Sequence, residues 1–87
     1  MDLESLFGSR GRVKVLKFLL EEGYSNITRI ARETGLSYRT VARHLEELKK
    51  AGLVEERRYG RLRVFEVDLT NPRLGAIREL IRELERL

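Results

Sequence analysis

The chain is predicted to be mainly α with a small β-hairpin, in the order helix-helix-helix-strand-strand-helix. Apolar residues recur at helical spacing in four segments separated by glycines or caps. One stretch, residues 53–67, instead carries strand formers on both sides of Tyr59-Gly60. At 87 residues with a single proline and no cysteine, the chain is one small domain without repeat, linker or disulfide staple.

Leu3, Leu6 and Phe7 form a first helical turn that stops at Gly8. Ser9 then offers an N-cap, because its hydroxyl can accept from an unpaired amide of the next turn. Val13, Leu16, Phe18, Leu19 and Leu20 give that helix one broad apolar face, which ends at Gly23. Ile27, Ile30 and Ala31 make a short second face, opened by Asn26 or Thr28 and closed by Gly35. About two turns of helix cannot stand without tertiary packing. Ser37 caps the next helix, whose Val41, Leu45 and Leu48 recur at i, i+4 and i+7 before Gly52. Lys49 and Lys50 suit the negative end of its dipole.

Strands are expected over 53–58 and 61–67, with Gly60 at the second position of a two-residue turn. In that register Arg58 faces Arg61, Glu56 faces Arg63 and Val54 faces Phe65. Thr70 or Asn71 is expected to cap a last helix with Pro72 in its first turn.

Charge is segregated along the chain. Residues 1–23 and 68–87 each balance four bases against four acids, whereas residues 24–67 hold ten bases and six acids, so the net +4 lies in the middle. A contiguous basic block is the footprint of a polyanion partner. Fourteen arginines, twelve glutamates and no glutamine also resemble a thermophilic composition. No apolar run could span a membrane, and Asp2 and Glu4 sit where a secretory leader needs positive charge. The expected location is cytoplasmic, in association with the nucleoid.

Two short helices joined at Gly35 and followed by a basic hairpin read as a winged helix-turn-helix. The run ITRIARETGLSYRTVARHLEELKKAGLVEERRYGRLRVFEV resembles the core of ArsR-like and MarR-like transcriptional regulators, particularly compact archaeal ones. The upstream LFGSRGRVKVLKFLLEEG is similar to the first helix of the ArsR-like group. The expected organisation is a single winged-helix domain over 1–87: N-terminal helices in 1–23, helix-turn-helix in 24–52, wing in 53–67 and dimerisation helix in 70–87.

Arg39 and Arg43 project directly opposite Val41 and Leu45, with Thr40 on one flank. An arginine fork can chelate guanine O6 and N7, so these three are the expected readers of a major groove. Like charges at i, i+4 repel and call for a partner; solvated surface charge is the competing account. Ser37 caps and can add a phosphate contact. Tyr38 stands between packing and a phosphate or thymine-methyl contact. His44 lies on a flank, and the resemblance implies a packing or phosphate-facing role. Thr28 and Arg29 are candidate phosphate anchors near a helix N-terminus. Arg57, Arg58, Arg61 and Arg63 crowd around Tyr59, expected to grip backbone or minor groove; a merely solubilising hairpin is the alternative.

Leu74, Ile77, Leu80, Ile81, Leu84 and Leu87 form a stripe wider than one thin neighbour covers. With Leu3, Leu6 and Phe7 it is expected to build a homodimer, as the ArsR-like resemblance also implies; folding back on the chain's own first helix is the alternative. Two-fold symmetry then predicts a palindromic site on double-stranded DNA.

One histidine, two aspartates and four scattered serines offer no nucleophile, base and orienting group, so no enzyme is expected. No metal or cofactor is expected either: the thiolate pair of ArsR-like metal sensors is absent, as is their carboxylate-and-histidine site. The function read from sequence is a dimeric, sequence-specific transcriptional regulator, most simply a repressor. The alternatives are a chromatin protein without sequence preference and a protein-interaction module.

Overall fold

Four short polar side chains each start a helix by accepting from the amide three residues ahead. In the computed structural model, which describes residues 1–87, Asp2 accepts from Ser5 N at 2.7 Å, Ser9 from Arg12 N at 3.2 Å, Asn26 from Arg29 N at 2.8 Å and Ser37 from Thr40 N at 3.1 Å. The helices they open are α1 (Leu3–Phe7), α2 (Arg10–Glu22), α3 (Ile27–Thr34) and α4 (Tyr38–Lys50). Strands β1 (Tyr24–Asn26), β2 (Val54–Tyr59) and β3 (Leu62–Val67) and the last helix, α5 (Leu74–Glu85), complete the chain.

The sheet has three strands, antiparallel in the order β1-β3-β2, where two were expected. Tyr24, Ser25 and Asn26 pair with Glu66, Phe65 and Val64, so the residues between α2 and α3 close the free edge of the wing. The hairpin register also differs from expectation. Tyr59 pairs with Leu62, Arg58 with Arg63, Glu56 with Phe65 and Val54 with Val67. Gly60 therefore holds the first turn position, with φ of +62°, and Arg61 the second. Alternation puts Val54, Glu56 and Arg58 on the same face as Arg63, Phe65 and Val67. That face packs on the helices, and Phe65 is fully buried.

One continuous core joins Val15, Leu16 and Leu19 of α2, Ile27 and Ile30 of α3, and Val41, Leu45 and Leu48 of α4. Leu53, Val54, Phe65 and Val67 close it from the sheet side. The last helix starts at Leu74, later than expected, and no side chain caps it. Asn71 instead pins the approach: its Oδ1 accepts from Arg73 N at 2.9 Å and its Nδ2 donates to Gly52 O at 2.8 Å. Pro72 lies in this turn, outside the helix. No helix is long and apolar enough to cross a membrane.

Candidate nucleic-acid interface

Arg39 and Arg43 stand on the solvent side of α4, four residues apart, and neither has an acidic partner within ion-pair distance. Burial of Val41, Leu45 and Leu48 against α2 and α3 fixes that orientation. Thr40 is half-buried, and its Oγ1 accepts from Ser37 Oγ at 2.9 Å, so the hydroxyl is engaged within the cap. Tyr38 is exposed at the start of the helix.

His44, expected on a flank of α4 in a packing or phosphate-facing role, is buried. It is 4% exposed, packed beside Gly11 and Leu36, and its Nδ1 has no hydrogen-bond partner. Burial, followed by the charges of Arg12 and Arg43, holds its pKa below the ordinary imidazole value. A ring enclosed in this way between α2 and its own helix fits packing, one of the two roles expected for it.

A cleft of about 390 Å³ opens between the N-terminal ends of α3 and α4 and the wing turn. Thr28, Arg29, Arg32, Tyr38, Arg61, Leu62 and Arg63 line it. Thr28 is exposed. The Arg29 guanidinium, expected to anchor phosphate, turns back instead: it meets Glu22 at 3.1 Å and lies 5.4 Å from the centre of the Phe18 ring. Arg32 was not anticipated. It is exposed, has no acidic partner, and sits one turn after Thr28 on the same side of α3. The i, i+4 spacing from Thr28 was the signal available in the sequence.

The wing arginines divide in a way that their crowding in sequence concealed. Arg57 bonds Glu66 and lies 3.9 Å from Glu55. Arg58 meets Glu56 at 3.2 Å, and Arg63 meets Glu56 at 2.7 Å and Glu46 at 3.3 Å. Lys49 of α4 joins the same carboxylate at 2.7 Å. Hydrogen bonds from Arg63 and then Lys49 hold Glu56 far below the usual carboxylate range, at about 2. Only Arg61, in the turn, lacks an acidic partner among the four. Three of the four guanidiniums are thus neutralised within the protein. Tyr59 and Leu62 flank Arg61 and are exposed.

The apolar stripe of α5 is split as well. Leu74, Ile77 and Ile81 pack into the chain's own core together with Leu6, so these four are not free for a partner. Leu3, Leu80, Leu84 and Leu87 face outward, and Phe7 is half-buried. A groove of about 340 Å³ runs between α1 and α5, lined mainly by Leu3, Leu6, Leu53, Ala76, Ile77 and Leu80.

Two short helices at a tight turn, the second with a basic outer face, beside a β-wing and an arginine-lined cleft, define a helix-turn-helix DNA-binding module. Residues 12–55 match the family model described as winged helix-turn-helix DNA-binding. The chain is 33% identical over 78 residues to an uncharacterised HTH-type transcriptional regulator of Methanocaldococcus jannaschii, covering 90% of this chain and 85% of that one. It belongs to the winged helix-turn-helix DNA-binding family.

Among solved structures, the Zalpha domain of Carassius auratus PKZ in complex with Z-DNA is similar at 30% identity and a TM-score of 0.62, over 68% of this chain and 94% of that one. A possible ArsR-family regulator of Mycobacterium bovis, whose homodimeric DNA-binding domain was determined in solution, has a TM-score of 0.74 at 24% identity, over 94% and 73% of the two chains. HlyU of Vibrio cholerae has a TM-score of 0.79 at 21% identity, over 98% and 89%. At these last two identities the likeness is one of fold.

Proposed function

We propose that this protein is a sequence-specific regulator of transcription that binds double-stranded DNA as a homodimer and represses by occluding a palindromic site. Arg39 and Arg43 carry the reading: two exposed guanidiniums without acidic partners on the outer face of the capped helix α4. In this arrangement α4 enters the major groove by its N-terminal end, and each arginine can take a guanine edge. Arg61 and Arg32 flank the helix and meet phosphates, with Tyr38, Thr28 and the Ser37 turn beside them. The outward leucines of α1 and α5 join two copies, which sets half-sites about one helical turn apart. The work is done on DNA in the cytoplasm, and no catalysis is assigned.

Selection from a random duplex pool at near-physiological salt tests this reading. A palindrome recovered with wild type and lost with Arg39→Ala/Arg43→Ala supports it. Flat enrichment, with the double variant weaker on all sequences alike, supports a chromatin protein instead. A left-handed CG-repeat duplex serves as competitor, because the similar Carassius auratus domain is found with Z-DNA.

A further inference from the structure

Resting on that reading, we infer that Glu56 ties Arg63 and Lys49 into a lock between wing and recognition helix, so that Arg61 and not Arg63 is the wing's phosphate contact. The carboxylate is placed for this by the strand register. Glu56 lies on the helix-facing side of β2, opposite the buried Phe65. Its side chain is only 8% exposed, yet both oxygens are engaged. Oε1 accepts from Lys49 Nζ at 2.7 Å and from Arg63 Nη2 at 3.2 Å, while Oε2 accepts from Arg63 Nε at 2.7 Å.

Arg63 is held from two further directions. Its guanidinium lies 5.2 Å from the centre of the Phe65 ring, and Nη2 donates to Glu46 of α4 at 3.3 Å. Drawing it out to a phosphate would expose the ring's face and strip a nearly buried carboxylate of its strongest partner. An exposed phosphate contact in water returns less than that loss. Arg61 has no such tie, and the turn holds it beside the cleft. The same bonds fix the angle of the hairpin to α4, since Lys49 and Glu46 belong to the helix and Glu56 and Arg63 to the two strands.

The experiment is the salt dependence of binding to one duplex, measured on the full chain and its variants. The slope of log affinity against log salt counts the phosphates neutralised, at about 0.9 per contact. Arg61→Ala is expected to lower the slope by about one, and Arg63→Ala to leave it at the wild-type value. Glu56→Gln releases Arg63 together with Arg58 and Lys49, so the slope is expected to steepen by about one or more and affinity for random duplex to rise. A Glu56→Gln slope equal to that of wild type, with only thermal stability lowered, would give the carboxylate a purely structural role and overturns the inference. So does an Arg63→Ala slope as shallow as that of Arg61→Ala. Should Glu56→Gln fail to fold, the two arginine variants decide by themselves. Wild type that binds no duplex at all removes the proposed function and this inference together. Binding with equal loss from Arg61 and Arg63 removes this inference alone.

Discussion

Gly11 of α2 meets His44 of α4 edge on: a methyl group at Gly11 would sit 2.9 Å from His44 Nε2 and 3.4 Å from Leu36 Cδ1. The missing side chain is what lets the N-terminal turn of α2 approach the middle of α4. Alanine at this position gains helix propensity of at most about 1 kcal/mol. Against that, His44 is buried and cannot swing aside freely, so overpacking costs roughly 1–3 kcal/mol. Gly11→Ala is therefore expected to lower stability by about 1 kcal/mol and to weaken DNA binding as α4 shifts. The check is a double-mutant cycle by denaturant unfolding. In a His44→Ala background the same glycine substitution is expected to be neutral or stabilising. An equal cost in both backgrounds would place the strain elsewhere.

Acid should act on stability in two separable windows. His44 titrates lower when folded than the ordinary 6.5, because burial and two nearby arginines oppose its charge. The unfolded chain then binds the proton first, so His44's contribution is complete above about 6.5 and declines as pH falls below it. Glu56 has its pKa lowered from 4.5 to about 2, so its contribution is present above 4.5 and is lost as pH falls towards 2. Thermal melts from pH 8 to pH 2 should show both declines. His44→Phe is expected to flatten the upper one only, and Glu56→Gln the lower one only. A single merged transition unaffected by either variant would contradict the assignment.

Glu56→Gln also tests the energetic weight of the cluster at neutral pH. The amide keeps the shape and one acceptor but loses charge-assisted bonds to Lys49 and Arg63. A loss of roughly 1–3 kcal/mol is expected, the range for a hydrogen bond to a charged group in a partly dry site. Glu79→Gln supplies the control: its pair with Arg82 is exposed on both sides, and an exposed i, i+3 pair contributes under about 1 kcal/mol. Urea midpoints at pH 7 rank the two directly.

The sequence made local features legible and hid the ones set by distant neighbours. Ser9 and Ser37 could be read as caps, and Asn26 as one of two candidates beside Thr28, because each bond closes within three residues. The hairpin register could not, for a specific reason. The expected pairing of Glu56 with Arg63 and the observed pairing with Phe65 differ by two residues, which keeps every side chain on its face. Hydrophobic alternation is blind to such a slip, and a glycine fits either turn position. Strand β1 has three residues and no pattern of its own; it exists because β3 offers an unpaired edge. Arg39 and Arg43 were legible as outward-facing from the buried Val41 and Leu45 alone. The pairing of Arg58 and Arg63 with Glu56 needed the register, and the burial of His44 needed the room left by Gly11.

The α5 stripe leads to the last expectation, because its two sides have different consequences when charged. Ile77 is buried beneath α1 and in the core, so Ile77→Asp buries an unpaired carboxylate and should unfold the domain. Leu80 and Leu84 are 41% and 50% exposed, and Leu3, which shares a groove with Leu80, is 55% exposed. Leu80→Asp/Leu84→Asp should leave the melting temperature of the folded monomer nearly unchanged, since exposed substitutions typically stay within about 0.5 kcal/mol each. If these leucines join two copies, sedimentation equilibrium should show wild type as a dimer and the double variant as a monomer. The monomer should still bind a single half-site, with affinity for the full palindrome falling to the half-site value, since the two contacts are no longer linked. A wild type that sediments as a monomer at all concentrations, and still selects a palindrome, would mean that DNA assembles the two copies.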